Sequence, residues 1–210
     1  MTASRRLLSI AALLALFTYA SVATDAARRQ VPESARPSLA GQLLVAAPEL
    51  DDPNFQKTVV YLVHHDQTGA MGLVINRVLG AGPLGEMLEG LRLPRTGRAD
   101  LELRVHYGGP VEPARGFMLH SPDYRAADTV VLSDLAALTL SPAILQDIAA
   151  GKGPKRSLFA LGYAGWGPEQ LESELAAGAW LVVEPDTDLL FDQQPETKWQ
   201  RAFDRRGIEL

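Results

Sequence analysis

The sequence contains no cysteine, and this absence constrains the fold more than any other single feature. A chain without cysteine forms no disulfide and no thiolate metal site, and it has no cysteine nucleophile and no lipid-modified cysteine behind a leader. Its stability must therefore come from a hydrophobic core. With 210 residues, 47% of them hydrophobic, the chain is long enough for one good core and short for two. We expect a single domain.

The N-terminal segment has the three-part pattern of a secretory signal peptide. Arg5 and Arg6 form a short basic start, an uncharged apolar run covers 7–20, and small residues follow up to Ala23. The apolar run is shorter than the roughly 20 residues that a membrane-spanning helix needs. We therefore expect residues 1–23 to be a signal peptide that directs the protein to the periplasm or beyond, with no stable membrane span after cleavage. The alternative is a start-site artefact and a cytoplasmic protein.

A polar stretch separates this leader from the folded domain. Residues 24–38 contain Pro32 and Pro37 and show no hydrophobic period, which is typical of a flexible linker. Residues 39–210 then form the predicted domain. The formal net charge of the whole chain is −5, and such an acidic balance disfavours nucleic acid as a partner.

Strand patterns come first in the domain, and helix patterns follow among later strands. The segments 57–65 and 70–76 are rich in β-branched and aromatic residues, and the four turn residues between them predict a hairpin. Further strands are predicted at 39–47, 101–107, 116–120, 157–163 and 179–184. Helices are predicted at 83–91, between Ser141 and Gly151, at 168–177 and at 195–206. This order predicts an α+β fold and not a regular βαβ alternation.

Short stretches in a fixed order resemble the AlgH/YqgE family of bacterial proteins over about residues 39–208. The matching stretches are Asp52-Pro53-Asn54-Phe55, Gly69 to Asn76, Gly108-Gly109-Pro110-Val111, Arg115 to His120, Leu161 to Gly167, Gln170-Leu171-Glu172 and Glu174-Leu175. The resemblance implies one domain with a bent, partly barrel-like mixed sheet flanked by several short helices. It implies no reaction.

The sequence departs from the family pattern in two places. Val78 stands where family members commonly have a proline, directly after an asparagine and a basic residue. Most members also lack an export leader. Members have been called transcriptional regulators, but this chain shows no helix-turn-helix pattern that would carry such a role. The arginines at 92, 95, 98 and 104 are interpreted as a solvated loop, so no nucleic acid is expected.

Local signatures of common cofactor sites are weak or missing. Residues 80–85 spell GxGxxG, but the predicted helix behind them is short and Pro83 interrupts the loop, so a plain helix entry is favoured over a nucleotide site. P-loop, zincin and α/β-hydrolase motifs are missing from the sequence. His64 and His65 are neighbours on a predicted strand, so they point to opposite faces and cannot easily share one metal. We expect neither a cofactor nor a metal.

The glycine-aromatic segment Gly162 to Gly167 is the strongest candidate site. Its glycines let the backbone approach a ligand, and the helix predicted behind it could offer N–H groups to a carboxylate or phosphate. The alternative is that the glycines permit tight packing while the aromatic residues fill the core. The candidate ligand-binding residues are Gly162, Tyr163, Gly165, Trp166, Gly167 and His120.

No nucleophile, base and orienting group accompany this segment in the sequence. The sequence therefore favours a non-enzymatic binding or regulatory protein, whose partner is an unknown protein or a small anionic ligand. The alternative is an enzyme that acts on a small anionic ligand at the same segment, with His120 or His64 as acid or base.

Overall fold

The computed structural model of the protein describes residues 37–95 and 97–205. The predicted signal peptide and most of the predicted linker lie outside these residues. The strands are β1 Leu43–Ala46, β2 Val59–Asp66, β3 Gly69–Val74, β4 Val78–Pro83, β5 Glu102–Tyr107, β6 Val111–His120, β7 Val130–Val131, β8 Ala137–Thr139, β9 Ser157–Trp166 and β10 Trp180–Val183. The helices are α1 Leu84–Gly90, α2 Ala143–Ala149, α3 Gln170–Ala176, α4 Thr187–Phe191 and α5 Pro195–Asp204. No helix among the described residues is long and apolar enough to cross a membrane.

The strands form one curled sheet, a half-barrel with short helices around it. The strand order along the main path is β10-β1-β2-β3-β9-β6-β8-β7, and β4 and β5 form a side branch that joins β9 through β5. The β5–β9 pair is parallel and the other pairs are antiparallel. The predicted α+β class with a bent mixed sheet is confirmed.

Both faces of the sheet bury apolar side chains. On β1, Leu43 and Val45 belong to the central core cluster, whereas Leu44 and Ala46 belong to a second cluster on the opposite face. This division follows from the alternation of side chains along a strand. Helices α4 and α5 supply buried residues to the central cluster, and α3 supplies Leu171 to the second. A third cluster lies beneath α1 and α2.

Strand β9 contributes to both faces because its alternation changes at Gly162. Leu158 and Ala160 lie in the central cluster, while Ala164 and Trp166 lie in the second. In a regular strand all four would share one face. Gly162 has φ +73°, and a glycine with positive φ is the residue that a bulge of this kind uses. Because its facing changes at Gly162, strand β9 contributes buried side chains to both core clusters.

Several predicted elements differ from the observed ones. The hairpin of β2 and β3 is confirmed, and Asp66 accepts a hydrogen bond from the Thr68 N–H in its turn. The strand predicted at 157–163 is longer than expected, because β9 continues to Trp166. Of residues 80–85, interpreted from the sequence as a loop at a helix entry, 80–83 belong to strand β4, which pairs with β5.

Candidate functional site

An open part of the sheet surface lies beside α1 and α2. Paired residues of neighbouring strands point to the same face, so Gly80 with Val105, and Gly116 with Leu161, belong to one surface. Helices α1 and α2 cover one end of this surface through the third core cluster. The rest is left uncovered and concave. We call it the apolar groove.

Two adjoining depressions make up the apolar groove, and both are lined by Leu161. The first has a volume of about 180 Å³ and lies between β6, β8, β9 and α2. The second, of about 350 Å³, is open and lies over β4 and β5 beside α1. The first is lined by Leu91, Ala114, Gly116, Met118, Thr139, Leu140, Ser141, Pro142, Ile144, Leu145, Phe159 and Leu161. The second is lined by Leu79, Gly80, Ala81, Gly82, Pro83, Glu86, Met87, Val105 and Leu161.

Missing side chains produce the concavity. A Cβ added at Gly80 would meet no atom of the described residues within 4 Å, so they leave the space above this strand position open. At the rim, three leucines keep large parts of their side chains in solvent, with exposures of 60% for Leu79, 45% for Leu91 and 44% for Leu140. Exposed apolar groups that border an apolar depression are a common mark of a binding surface.

A chain of hydrogen bonds lies under the first depression and fixes its polar lining. His120 Nδ1 lies 2.8 Å from the Ser121 carbonyl oxygen, so Nδ1 carries the proton and Nε2 accepts one from the Thr139 hydroxyl at 2.9 Å. Thr139 Oγ1 in turn lies 2.7 Å from Thr129 Oγ1. Burial lowers the pKa of His120, against the opposing effects of the Ser121 carbonyl and Asp123. A neutral His120 with this tautomer holds β6 to β8.

The Thr139 hydroxyl donates to His120 as a nucleophile would donate to its base. The groups around this pair, however, serve the fold and not a reaction. Thr139 is only 1% exposed. The next two backbone N–H groups, of Leu140 and Ser141, donate to the Asp128 carboxylate. They are therefore already engaged, whereas an oxyanion hole needs N–H groups that are directed at the substrate.

The structure separates His120 from the predicted glycine-aromatic segment. His120 pairs with Ser157 at the start of β9, whereas Trp166 lies nine residues further along the same strand. At about 3.3 Å per residue this separation is up to roughly 30 Å along the strand. His120 and the segment around Trp166 therefore do not form one site in this structure.

Gly162 approaches the backbone of a neighbouring strand closely, whereas Gly165 and Gly167 contact side chains. A Cβ on Gly162 would lie 2.3 Å from the Gly109 carbonyl oxygen, and the Gly167 N–H donates to the Gln170 side chain. Gly165 is exposed, and Tyr163 packs edge-to-face on Phe117. These contacts support the packing interpretation, and ligand binding at Gly162 to Gly167 stays a prediction.

The remaining histidines have separate partners. His64 is exposed and lies 3.1 Å from the Asp66 carboxylate, whereas His65 is buried and bonds Glu172 at 2.9 Å, so the two point to opposite faces as expected. His106 Nδ1 faces the Phe159 carbonyl at 3.2 Å. Within residues 37–95 and 97–205, no three His, Asp or Glu side chains are placed to hold a metal ion.

Polar residues of the family-like stretches, and the arginines noted in the sequence, have local structural roles. Asn76 accepts from the Val59 N–H and donates to the Lys57 carbonyl, which closes the ends of β2 and β3. Asp52 accepts from the Asn54 N–H in the segment before β2. Arg95 pairs with Glu89 of α1, whereas Arg104 donates to the Gln193 carbonyl between α4 and α5. These two arginines therefore have separate partners.

The sequence did not reveal the apolar groove. Its lining comes from strands that are distant in the chain, and the lining becomes apparent only once β4, β5, β9 and β6 are placed side by side. The one available signal was the glycine spacing at 80 and 82. It resembled a nucleotide loop, but in the structure these glycines are strand positions that leave one face bare.

Comparison with known proteins agrees with the fold. A family model described as AlgH-like matches residues 43–210. A UPF0301 protein of Methylococcus capsulatus is 41% identical over 181 residues, which cover 86% of this chain and 98% of that protein. A UPF0301 protein of Caulobacter vibrioides is 45% identical over 172 residues, or 81% of this chain and 88% of that protein.

Two solved structures are similar as well. The solution structure of the AlgH protein from Pseudomonas aeruginosa superposes with a TM-score of 0.69 at 43% identity, covering 84% of this chain and 93% of that one. A crystal structure of a Corynebacterium diphtheriae protein has a TM-score of 0.65 at 17% identity, covers 82% of this chain and 89% of that one, and shows the fold alone. The resemblance found in the sequence is thereby confirmed, and the chain belongs to the AlgH-like family.

Proposed function

We propose that the protein is a non-enzymatic binding protein whose apolar groove receives an aliphatic or aromatic group of its partner. The observation that carries this proposal is the pair of adjoining apolar depressions bordered by exposed leucines. Burying those leucines against a partner would gain free energy at about 25 cal/mol per Å² of apolar surface. A binding role requires only the apolar contacts that this surface already offers.

The size of the first depression suits one compact apolar group. Its volume is about 180 Å³, and an apolar cavity of about 150 Å³ is large enough to hold benzene. Leu140 and Leu91 stand at its rim, while Phe159 and Met118 form part of its wall. A side chain, a ring or a short alkyl group therefore fits this depression better than a large charged ligand does.

The polar groups that line the first depression support binding over catalysis. Thr139 and Ser141 are the residues with polar side chains among those that line it. Thr139 donates to His120, and Ser141 Oγ accepts from the Ala143 N–H at the start of α2. Both hydroxyls thus hold the structure together and leave an apolar contact surface.

A fluorescence titration with the neutral dye N-phenyl-1-naphthylamine tests the proposal. We expect saturable binding of one dye per chain. Leu140→Ser should weaken it about fivefold, because a lost leucine contact of about 1 kcal/mol corresponds to that factor. Val182→Ser is the matched control, since Val182 has nearly the same exposure, 43% against 44%, and lies on β10 outside the groove. Equal binding by both variants, or no saturable binding, would contradict a ligand role for the groove.

We further propose that this binding takes place outside the cytoplasm. Support comes from the basic start, apolar run and small-residue end of residues 1–23. The intact mass of the native protein from separated periplasmic and cytoplasmic fractions tests it. A periplasmic species that lacks about 23 residues agrees with export, and an uncleaved cytoplasmic chain contradicts it.

A further inference from the structure

We propose that the partner is an extended peptide segment that adds as a strand to the free edge of β4, with one aliphatic and one basic side chain over the apolar groove. This inference rests on the proposed binding function of the groove. It identifies the kind of partner and the backbone atoms that would recognise it.

Strand β4 is an edge strand without a charged side chain. Among the described strands it pairs with β5 alone, on one side, and five of its six residues are exposed. None of its residues, Val78-Leu79-Gly80-Ala81-Gly82-Pro83, is charged, although proteins commonly place lysine on such edges to prevent pairing with other chains. A bulge between Val78 and Gly80 and the proline at the end leave a short uncharged stretch centred on Ala81.

The pairing with β5 shows which backbone groups face outward. The Leu84 N–H donates to the Leu101 carbonyl at 2.8 Å, so this pair is hydrogen-bonded. Hydrogen-bonded and non-hydrogen-bonded pairs alternate along an antiparallel ladder. In the observed register Gly82 and Gly80 are therefore bonded to β5, whereas the N–H and C=O of Ala81 point away from it. Pro83 falls at the other outward position, where the missing N–H costs no ladder bond.

A peptide that bonds to Ala81 would place its next side chains over the groove. Successive side chains of a strand alternate between faces, so the residues before and after the one opposite Ala81 lie beside Gly80 and Gly82. These two glycines carry no side chain on that face, and the depression there continues to Val105 and Leu161. An aliphatic side chain of the peptide can therefore lean across Gly80 into the depression.

Glu86 determines the charge of the second side chain. Among the residues lining this depression it is the charged one, and its Oε2 lies 4.0 Å from the point that a Cβ on Gly82 would occupy. A lysine or arginine beside Gly82 would thus meet a carboxylate at close range. The complementary peptide is apolar beside Gly80 and basic beside Gly82.

The outward backbone groups favour a peptide over a lipid chain. An alkyl chain can fill an apolar depression, but it offers no donor or acceptor to the N–H and C=O of Ala81. Main-chain hydrogen bonds supply the affinity when a strand is added to a sheet edge, and pockets for alternate side chains supply the specificity. The β4 edge combines both features.

The test is an NMR titration of the ¹⁵N-labelled protein with two acetylated peptide amides, Thr-Lys-Thr-Leu-Thr and Thr-Glu-Thr-Leu-Thr. We expect the lysine peptide to shift the Ala81 amide signal and to bind more tightly than the glutamate peptide. Ala81→Pro removes the outward N–H and should weaken binding about tenfold. Ala81→Ser retains that N–H and is the matched control. Glu86→Lys should reverse the preference between the two peptides.

Each outcome has one meaning. Loss of peptide binding in Ala81→Pro with unchanged dye binding supports strand addition. Equal peptide affinity in Ala81→Pro and Ala81→Ser overturns it, and leaves the dye result to decide separately whether the groove binds at all. An Ala81 signal that shifts with protein concentration alone, without peptide, overturns it in favour of pairing between two copies of the chain.

Discussion

Trp166 and Trp180 lie edge-to-face at 5.9 Å, and their indole N–H groups both donate to the same oxygen of Glu174, each at 2.8 Å. Phe55 contacts both rings, stacked on Trp166 and edge-on to Trp180. Gln170 donates to the other Glu174 oxygen. One carboxylate on α3 thus connects β9 and β10 across the second core, and the aromatic part of the glycine-aromatic segment has a structural partner.

Removal of this carboxylate should destabilise the protein without unfolding it. Glu174→Ala leaves two buried indole donors without their acceptor, and unsatisfied buried groups cost about 1–3 kcal/mol each. We expect a loss of about 2–4 kcal/mol in the free energy of unfolding, measured by urea denaturation with tryptophan fluorescence. Ser173→Ala, on the exposed side of the same helix, should change it by less than about 0.5 kcal/mol. Equal stability of the two variants would show that the carboxylate is dispensable.

The class of the fold could be predicted from local patterns, because alternation and turn chemistry operate over a few residues. The β2–β3 hairpin and the terminal helix α5 follow from such signals. Gly162 shows the limit. Its neighbours in the sequence carry no sign of a change, and only the packing of two cores on opposite faces reveals that the strand changes its facing there.

The candidate site was harder to predict for the same physical reason. The glycines at 165 and 167 are typical of a turn, but pairing with β3 keeps the chain extended up to Trp166. His120 follows a stretch shared with the family, yet its ring is held by Thr139 far from Trp166 along β9. The extended conformation up to Trp166 and the position of His120 both depend on pairing between strands that are distant in the chain. A single sequence carries no direct signal of such pairing.

Alanine at Gly162 should be far more damaging than alanine at Gly151. Both glycines have φ +73°, so the backbone strain of the substitution, about 1–2 kcal/mol, is the same at the two positions. At Gly151 a Cβ meets no atom within 4 Å, whereas at Gly162 it would lie 2.3 Å from the Gly109 carbonyl oxygen. We expect Gly162→Ala to lose about 4 kcal/mol or more in chemical denaturation. A difference of less than about 1 kcal/mol between the variants would contradict the close approach of the two strands.

Gly165→Ala separates packing from ligand contact in the predicted segment. A Cβ at Gly165 would lie 3.3 Å from a Tyr163 ring carbon and 3.7 Å from Val111, so a small shift of the ring accommodates it. We expect a change in the free energy of unfolding within about 1 kcal/mol. If Gly162 to Gly167 binds an anion, this variant should remain folded and lose the binding of inorganic phosphate seen in the parent by calorimetry. Unchanged phosphate binding, or no phosphate binding by the parent, would assign the segment to packing alone.

His106 should make the folded protein sensitive to mild acid. Burial lowers its pKa to about 4, the Phe159 carbonyl opposes this, and Lys198 and Arg104 add to it. In the unfolded chain the pKa is near 6.5, so the unfolded state binds more protons between these values. Stability from the neutral ring is thus complete above pH 6.5 and is lost as the pH falls towards 4. The loss amounts to roughly 3 kcal/mol at most.

Replacement of His106 by asparagine tests this contribution, because the asparagine amide can still donate to the Phe159 carbonyl and does not titrate. The free energy of unfolding of His106→Asn, measured in urea from pH 7.5 to pH 4.5, should fall less steeply than that of the parent. The exposed His64→Asn is the matched control and should follow the parent. Parallel curves for the parent and His106→Asn would mean that the ring becomes protonated without cost, and would contradict its burial beside Lys198 and Arg104.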